Sequence, residues 1–137
     1  MTKHVPDRHA VSSHRYCLMC GCDNPLSFGL DFKLDSNNIA AATFRPDENL
    51  QGYQGIVHGG VLSALLDTAM AQCLLKQNIE ALTGELTIRF YQPVACNSLL
   101  SIRAWVDSSL PPLFHLRAEI LVDDRLACKA RAKFMQR

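Results

Sequence analysis

The sequence has almost no net charge and no long apolar run. Lysine and arginine number 14, and aspartate and glutamate number 13, so the chain lacks the basic footprint of a nucleic-acid-binding protein. No stretch approaches the roughly 18 consecutive apolar residues that a membrane-spanning helix needs. The first 16 residues are polar and of mixed charge, without the apolar core of a secretion signal. We therefore expect a cytoplasmic protein with no membrane span and no nucleic-acid partner.

Disulfide bonds are also not expected, although the chain contains six cysteines. A protein without a secretion signal normally keeps its thiols reduced. Cys73, Cys96 and Cys128 are predicted to be small core residues.

The segment "HRYCLMCGC" is different, because it offers zinc-ligand side chains at plausible spacing. These side chains are His14, Cys17, Cys20 and Cys22. No second Cys-x-x-Cys pair follows, so we favour a reduced, metal-free loop packed on the rest of the domain. Metal binding by this segment is kept as the alternative.

Alternation of apolar and polar residues predicts about six strands, and one further segment has the periodicity of a helix. The strands are expected at residues 25–34, 39–45, 86–90, 100–106, 114–122 and 126–134. The turn sequence "DSNN" joins the first two strands into a hairpin. The helix should begin at Gly59 or Gly60 and end near Gln77, and its apolar stripe is wide enough for protein to cover most sides.

Strands on both sides of a single apolar helix predict an α+β domain, in which a curved antiparallel sheet wraps around the helix. We place this domain at residues 16–137, after a flexible tail of residues 1–15.

Two segments resemble a known family. "GIVHGGVLSALLDTAMA" is similar to the central helix of hotdog-fold thioesterases of the phenylacetyl-CoA thioesterase (PaaI-like) type. "CLMCGCDNPLSFGL" is similar to the N-terminal segment of one branch of that family, and the last four strands also fit. The resemblance covers about residues 16–136. It implies the hotdog fold and hydrolysis of an acyl-CoA thioester, with water as co-substrate and without a metal or organic cofactor.

The resemblance also implies three catalytic roles. The family's acid falls on Asp67, as general base or nucleophile. The backbone N–H that polarises the thioester carbonyl falls on Gly59. A hydroxyl that orients water falls on Thr83, where the next strand begins.

The loop before the helix departs from the family pattern. The family often has Asn or Gln six residues before the motif histidine, His58, and this chain has Gly52 there. Gln51 and Gln54 flank that position, and either could contact substrate together with Gly60. For His58 itself, capping the helix or orienting the loop is the favoured role, with a catalytic role as the alternative.

Physical reasoning about the same residues favours a dimer. A helix N-terminus offers unpaired N–H groups and a partial positive charge to a developing oxyanion, and glycine lets a ligand approach closely. Gly60 and Asp67 are seven residues apart, which is roughly 10 Å along a helix, whereas a reacting carbon lies about 3 Å from its attacker. If two helices pack antiparallel across a two-fold axis, the N-terminus of one approaches the acid of the other. The resemblance implies the same homodimer with shared sites, and a homotetramer is the alternative.

Three other functions compete with hydrolysis: a non-catalytic acyl-CoA-binding module, a hotdog hydratase or dehydratase, and an interaction protein without a ligand. A pure binder has no need for an acid such as Asp67 near the carbonyl. The histidine segments of the hydratases tend to be rich in proline, and "GIVHGGV" has none.

The polar faces of the strands carry four arginines: Arg89, Arg103, Arg117 and Arg131. These faces could be solvated or could contact the phosphates of CoA. The acyl group is not indicated.

Overall fold

One antiparallel sheet and one long helix make up the fold in the computed structural model, which describes residues 12–137. The elements in chain order are a 3-10 helix Ser12–His14, β1 Lys33–Leu34, β2 Ala40–Phe44, a 3-10 helix Glu48–Leu50, α1 Gly59–Leu75, β3 Ala81–Phe90, β4 Leu100–Leu110, β5 Leu113–Val122 and β6 Arg125–Gln136. The strands are ordered β1-β2-β4-β5-β6-β3 in the sheet, and every neighbouring pair is antiparallel. The predicted α+β architecture, with six strands and one helix, is confirmed.

Helix α1 is covered on most of its surface, as its wide apolar stripe predicts. Its central residues Leu65, Leu66, Ala69 and Met70 have no exposed surface. The sheet supplies the covering side chains from alternate positions of each strand, which are the buried positions of the pleat. The largest of these side chains include Leu100, Ile102, Leu116, Ile120 and Phe134.

The first strand is much shorter than predicted. The prediction covered residues 25–34, whereas the ladder with β2 involves Lys33 and Leu34 alone. The alternation of apolar and polar residues in this segment reflects burial, since Leu30 and Phe32 lie in the core. Gly29 breaks the extended run with a φ of 68°, a value that glycine adopts without steric cost.

The backbone of this segment makes its hydrogen bonds to the loop that contains Cys17 and Cys20 (the cysteine loop) and not to a strand. The N–H of Phe28 donates to the carbonyl of Leu18 at 2.9 Å, and the N–H of Leu30 donates to the carbonyl of Met19 at 3.0 Å. The chain before β1 therefore depends on the loop that contains Cys17 and Cys20.

The predicted turn between the first two strands is confirmed. The N–H of Asn38 donates to the carbonyl of Asp35 at 3.0 Å, and the Asp35 carboxylate accepts from the N–H groups of Asn37 and Ile39. Asn38 takes a φ of 61°, a left-handed conformation that asparagine tolerates.

The N-terminal tail predicted for residues 1–15 stays a prediction, because residues 1–11 lie outside the described residues. Residues 12–14 form a 3-10 helix, and the Ser13 hydroxyl donates to the carboxylate of Glu80 at 2.9 Å. Within residues 12–137, no helix is both long and apolar enough to cross a membrane.

Strand β3 lies at one edge of the sheet. It pairs with β6 along one side, and no described strand pairs with the other side. Large apolar side chains are exposed at both of its ends, because Leu82 is 61% and Phe90 51% exposed. A long, exposed and partly apolar edge strand is a template for pairing with another chain.

Candidate active site

His58 caps the start of α1. Its Nδ1 atom accepts a hydrogen bond from the N–H of Gly60 at 2.8 Å, so His58 is the N-cap of the helix. This bond satisfies one of the N–H groups that every helix start leaves without an intrahelical partner. A Cβ at Gly60 would lie 2.9 Å from the same Nδ1 atom, so a side chain there would displace the capping ring. The structure thus gives His58 the capping role that the sequence favours.

Gly59 is the first residue of α1 and is exposed. Its N–H has no hydrogen-bond partner among residues 12–137 and lies at the positive end of the helix dipole. Apart from its chain neighbours, the nearest side chain is that of Phe90, whose ring carbons lie 3.8 and 3.9 Å from the place that a Cβ on Gly59 would take. The end of β3 therefore lies beside the start of α1.

Asp67 and Thr83 are brought into direct contact. The Thr83 hydroxyl donates to Oδ1 of Asp67 at 2.6 Å. Asp67 is half-buried in the middle of α1, and Thr83 is exposed near the start of β3. The hydrogen bond fixes the carboxylate through one oxygen, and the other oxygen, Oδ2, stays available.

An irregularity in β3 is what turns Thr83 toward the helix. Thr83 stands opposite Phe134 in β6, whereas Glu85 stands opposite Lys133, so Gly84 is an extra residue in the ladder. Residues directly opposite each other lie on the same face of a sheet. Thr83 therefore shares the core face with Phe134, while Glu85 shares the outer face with Lys133. A β-bulge of this kind commonly re-aims a side chain near a functional site.

The two predicted glutamines lie in the loop before α1. The Gln51 side chain accepts from the N–H of Gly55 at 3.0 Å, so it holds the loop together. Gln54 is exposed. Gly52 packs against His58, and a Cβ there would lie 3.4 Å from the His58 Cα. Both glutamines thus lie in the loop that leads into α1, and their contact with substrate stays a prediction.

The predicted site residues fall into two groups on one helix. His58, Gly59 and Gly60 form the group at the helix start, and Asp67 with Thr83 forms the group at its middle. Gly59 and Asp67 are eight residues apart, which corresponds to about 12 Å along the axis. Within one chain the free N–H and the carboxylate are therefore too far apart to act on the same carbonyl group.

The cysteine loop forms a second cluster of chemically active side chains. One ligand atom from each of His14, Cys17 and Cys20 lies within 4.8 Å of the other two. The Cys20 thiol and the His14 ring stabilise the Cys17 thiolate, and the pKa of Cys17 is lowered well below its ordinary value. Cys17 in turn raises the pKa of Cys20. Sequence reasoning named these residues, but the contact with the His14 ring depends on the folded loop.

The remaining cysteines behave as the sequence predicts. Cys73 and Cys128 have no exposed surface, and burial raises the pKa of Cys128 to about 12. Cys96 is half-buried and packs against the core. All six cysteines are free thiols.

The outer face of the sheet carries the four arginines noted in the sequence. Arg103 is ion-paired with Glu119, and Arg117 Nε lies 3.2 Å from a carboxylate oxygen of Asp107. Arg89 and Arg131 make no ion pair within residues 12–137, and they line a groove of about 220 Å³ together with Arg117. The groove lies on the face of the sheet opposite α1.

A family model described as Thioesterase superfamily matches residues 54–129. This range contains the helix start, Asp67 and Thr83. The chain belongs to the thioesterase superfamily. The mouse (Mus musculus) protein Acyl-coenzyme A thioesterase THEM4 is 25% identical over 79 residues, which are 56% of this chain and 34% of that protein. The chain spans about a third of the length of the curated relatives it matches.

Solved thioesterase structures have the same fold. The thioesterase superfamily protein RHA08564 superposes with a TM-score of 0.78 and 22% identity, covering 84% of this chain and 60% of its own. The E. coli PaaI protein from the phenylacetic acid degradation operon gives 0.74 and 23%, with 80% of each chain covered. A hypothetical thioesterase from Streptococcus pneumoniae, solved with coenzyme A, gives 0.73 and 17%, covering 78% and 87%. The hotdog fold and the resemblance to PaaI-like thioesterases are confirmed.

The capping role of His58 can be tested by stability. We expect His58→Ala to lower the free energy of unfolding by about 0.5–2 kcal/mol, because one helix N–H loses its acceptor. His58→Asn should lose much less, since asparagine is a strong N-cap. Denaturant unfolding followed by circular dichroism measures both. Equal losses in the two variants would show that the side-chain acceptor is not what stabilises this end of the helix.

Proposed function

We propose that this chain hydrolyses an acyl-CoA thioester to a free acid and CoA. The observation that carries the proposal is the 2.6 Å hydrogen bond from Thr83 to Asp67. It holds an acid on an otherwise apolar helix with one oxygen free for chemistry. Membership of the thioesterase superfamily and similarity to a protein named acyl-coenzyme A thioesterase support it.

A spacing in a solved relative supports the choice of these two residues. The S. pneumoniae protein was also solved with an aspartate replaced by alanine and, separately, with a threonine replaced by alanine. The replaced residues are 16 positions apart in that chain, and Asp67 and Thr83 are also 16 positions apart. The coenzyme A in that protein supports CoA thioesters as the substrate class for this chain.

In the proposed reaction, Asp67 provides the attack on the thioester carbonyl. As general base, Oδ2 takes a proton from water while the water oxygen bonds to the carbonyl carbon. As nucleophile, Oδ2 itself forms that bond, and water then hydrolyses the resulting anhydride. In both cases the C–S bond breaks, CoA leaves as the thiolate and takes up a proton, and the acid is released. Thr83 orients the carboxylate by occupying Oδ1.

The N–H of Gly59 is the proposed donor to the carbonyl oxygen. Negative charge develops on this oxygen in the tetrahedral intermediate, and an N–H at a helix start stabilises it by hydrogen bonding and by the helix dipole. The absence of a side chain on Gly59 leaves the N–H accessible. His58 contributes by holding this end of the helix. Gly60, in the first turn of α1, and Gln51 and Gln54, in the loop before it, are proposed to contact the substrate.

We infer that each active site combines the helix start of one chain with the acid of its partner. Strand β3 connects the two groups, because Thr83 near its start contacts Asp67 and Phe90 at its end lies beside Gly59. If the open edges of two β3 strands pair antiparallel, the Phe90 end of one strand lies beside the Thr83 end of the other. The Gly59 N–H of one chain then approaches Asp67 of the other. The exposed apolar ends of β3 support this pairing.

The role of Asp67 is tested by its removal. Asp67→Ala should lower kcat by a factor on the order of a hundred to ten thousand, because the base or nucleophile is lost. The measurement is release of free CoA from a panel of acyl-CoA thioesters, detected with a thiol-reactive dye. Circular dichroism should show an intact fold. A folded variant with more than a tenth of wild-type kcat would mean that another residue performs the attack.

The role of Thr83 depends on its hydroxyl group. Thr83→Val keeps the shape and removes the donor, so kcat should fall, though less than in Asp67→Ala. Thr83→Ser should be close to wild type. Thr87→Val is the matched control, since Thr87 lies in the same strand on the outer face. The hydrogen bond has no catalytic role if Thr83→Val and Thr87→Val have equal rates.

The shared site is tested by mixing two inactive variants. Asp67→Asn removes the acid, and Gly59→Pro removes the N–H donor. Proline fits the first position of a helix, and the extended backbone of His58, with ψ 131°, suits a residue that precedes proline. Each variant alone should be inactive. Unfolding and refolding them together pairs chains at random, so about half of the dimers hold one intact site.

The mixture should recover about a quarter of wild-type activity on this counting. Both parents must refold to dimers of normal mass and helical content. A mixture that stays as inactive as its parents, while mixed dimers are detected by mass spectrometry, would contradict the shared site.

A further inference from the structure

We propose that His14, Cys17 and Cys20 bind a thiophilic divalent cation of the zinc type. They are the one group of three potential ligands that the described residues bring within 4.8 Å of one another. The proposal does not depend on the hydrolytic function, because the cluster is separate from Asp67, Thr83 and the helix start. It differs from the metal-free loop favoured by the sequence.

The spacing of the ligand atoms fits tetrahedral coordination. A zinc–sulfur bond of about 2.3 Å and a zinc–nitrogen bond of about 2.0–2.1 Å, at the tetrahedral angle, give a sulfur–nitrogen edge of about 3.5–3.6 Å. The Sγ atom of Cys20 lies 3.6 Å from Nδ1 of His14. This edge of the coordination polyhedron is therefore already formed, and the Cys17 Sγ atom lies within 4.8 Å of both of its atoms.

The local backbone turns both sulfur atoms toward the same point. The N–H of Met19 donates to Sγ of Cys17 at 3.4 Å, and the N–H of Gly21 donates to the carbonyl of Cys17 at 2.9 Å. A Cβ at Gly21 would lie 2.5–2.6 Å from backbone atoms of Arg15 and Cys17, so no other residue fits without moving the turn. Cys-x-x-Cys followed by glycine in such a tight turn presents its two thiols as a pair.

A buried polar side chain supports one of the ligands from outside the loop. Gln72 of α1 is 6% exposed, and its amide Nε2 donates to Sγ of Cys20 at 3.1 Å. A neutral thiol is a weak acceptor for such a donor, whereas a metal-bound thiolate is a strong one. Outer-shell donors of this kind orient metal ligands and tune their basicity.

The charges at the site balance when a divalent ion is bound. The two thiolates, from Cys17 and Cys20, offset the two positive charges of the ion, and the His14 ring binds as a neutral ligand. Three protein ligands leave the fourth tetrahedral position for water or another donor. Cys22 lies outside the group, so it is not assigned as a ligand.

The bound ion would have a structural role. It would fix the loop from which Phe28 and Leu30 receive their backbone partners, and it would join that loop to α1 through Gln72. Because ligands of this kind are gathered only in the folded chain, binding free energy adds to folding free energy.

The experiment uses the whole chain, reduced and stripped of metal, and titrates it with Co²⁺ as a spectroscopic probe. We expect one Co²⁺ per chain, with thiolate-to-cobalt charge-transfer absorption in the near ultraviolet and the visible bands of tetrahedral cobalt. Zn²⁺ should displace the Co²⁺ and remove both signals. A thiol titration before each measurement establishes that the cysteines are reduced.

Variants then identify the ligands. Cys17→Ser and Cys20→Ser should lose the charge-transfer band, and His14→Ala should weaken Co²⁺ binding by at least about tenfold, since even outer-shell changes cost about 10–100-fold. His14 is partly exposed, so its replacement leaves the core intact. Cys96→Ser and Cys22→Ser are the controls, and both should bind as the wild type does.

Three results would each overturn the proposal. A fully reduced wild-type protein could show no thiolate-to-cobalt band. The band could persist unchanged in both Cys17→Ser and Cys20→Ser. It could also be lost in Cys22→Ser or Cys96→Ser while His14→Ala binds normally, which would assign the ion to another set of thiols.

Discussion

A helix that is apolar on nearly every side is stable in water only when protein covers it, and this constraint shapes the whole domain. Strands β2 to β6 supply that cover to α1 by placing alternate side chains against it. The central turns of the helix are fully buried as a result. Polar groups on the helix therefore persist only where a specific partner meets them, as Thr83 does for Asp67 and as the Cys20 sulfur does for Gln72.

Strand β3 positions most of the proposed active site. It lies at the edge of the sheet, its bulge at Gly84 turns Thr83 toward the helix, and its last residue, Phe90, lies beside Gly59. An edge strand without the bulge would present that threonine on the outer face. The same strand has an open edge available for a second copy of the chain. The proposed chemistry and the proposed dimer thus depend on one element.

The two ends of the helix region are stabilised by different means. At the start of α1, the His58 ring accepts from the N–H of Gly60, while the N–H of Gly59 stays accessible. Near its C-terminal end, Gln72 holds the cysteine loop, which in turn holds the segment leading into β1. Asp67 lies on the helix between these two anchors.

The sequence by itself determined the element types and the candidate residues. Apolar periodicity is a local property, so it was sufficient to predict α1, the wrapped architecture and the positions of β2, β4, β5 and β6. For β3 it predicted residues 86–90, whereas the strand begins at Ala81. The motif around His58 and Asp67 likewise needed no tertiary information to single out those residues. The predicted length of β1 was wrong because residues 28–34 alternate in their contact with the core without pairing with a neighbouring strand.

Only the tertiary structure decided which distant side chains meet. The bond between Thr83 and Asp67 requires the bulge at Gly84. A glycine in a strand often marks a bulge, but periodicity does not specify which partner the re-aimed side chain meets. The approach of the His14 ring to Cys20, and of Gln72 across 52 positions to the same sulfur, depends on how the loop packs on α1. Local patterns specify the face on which a residue lies, whereas distances between elements follow from the packing of the whole core.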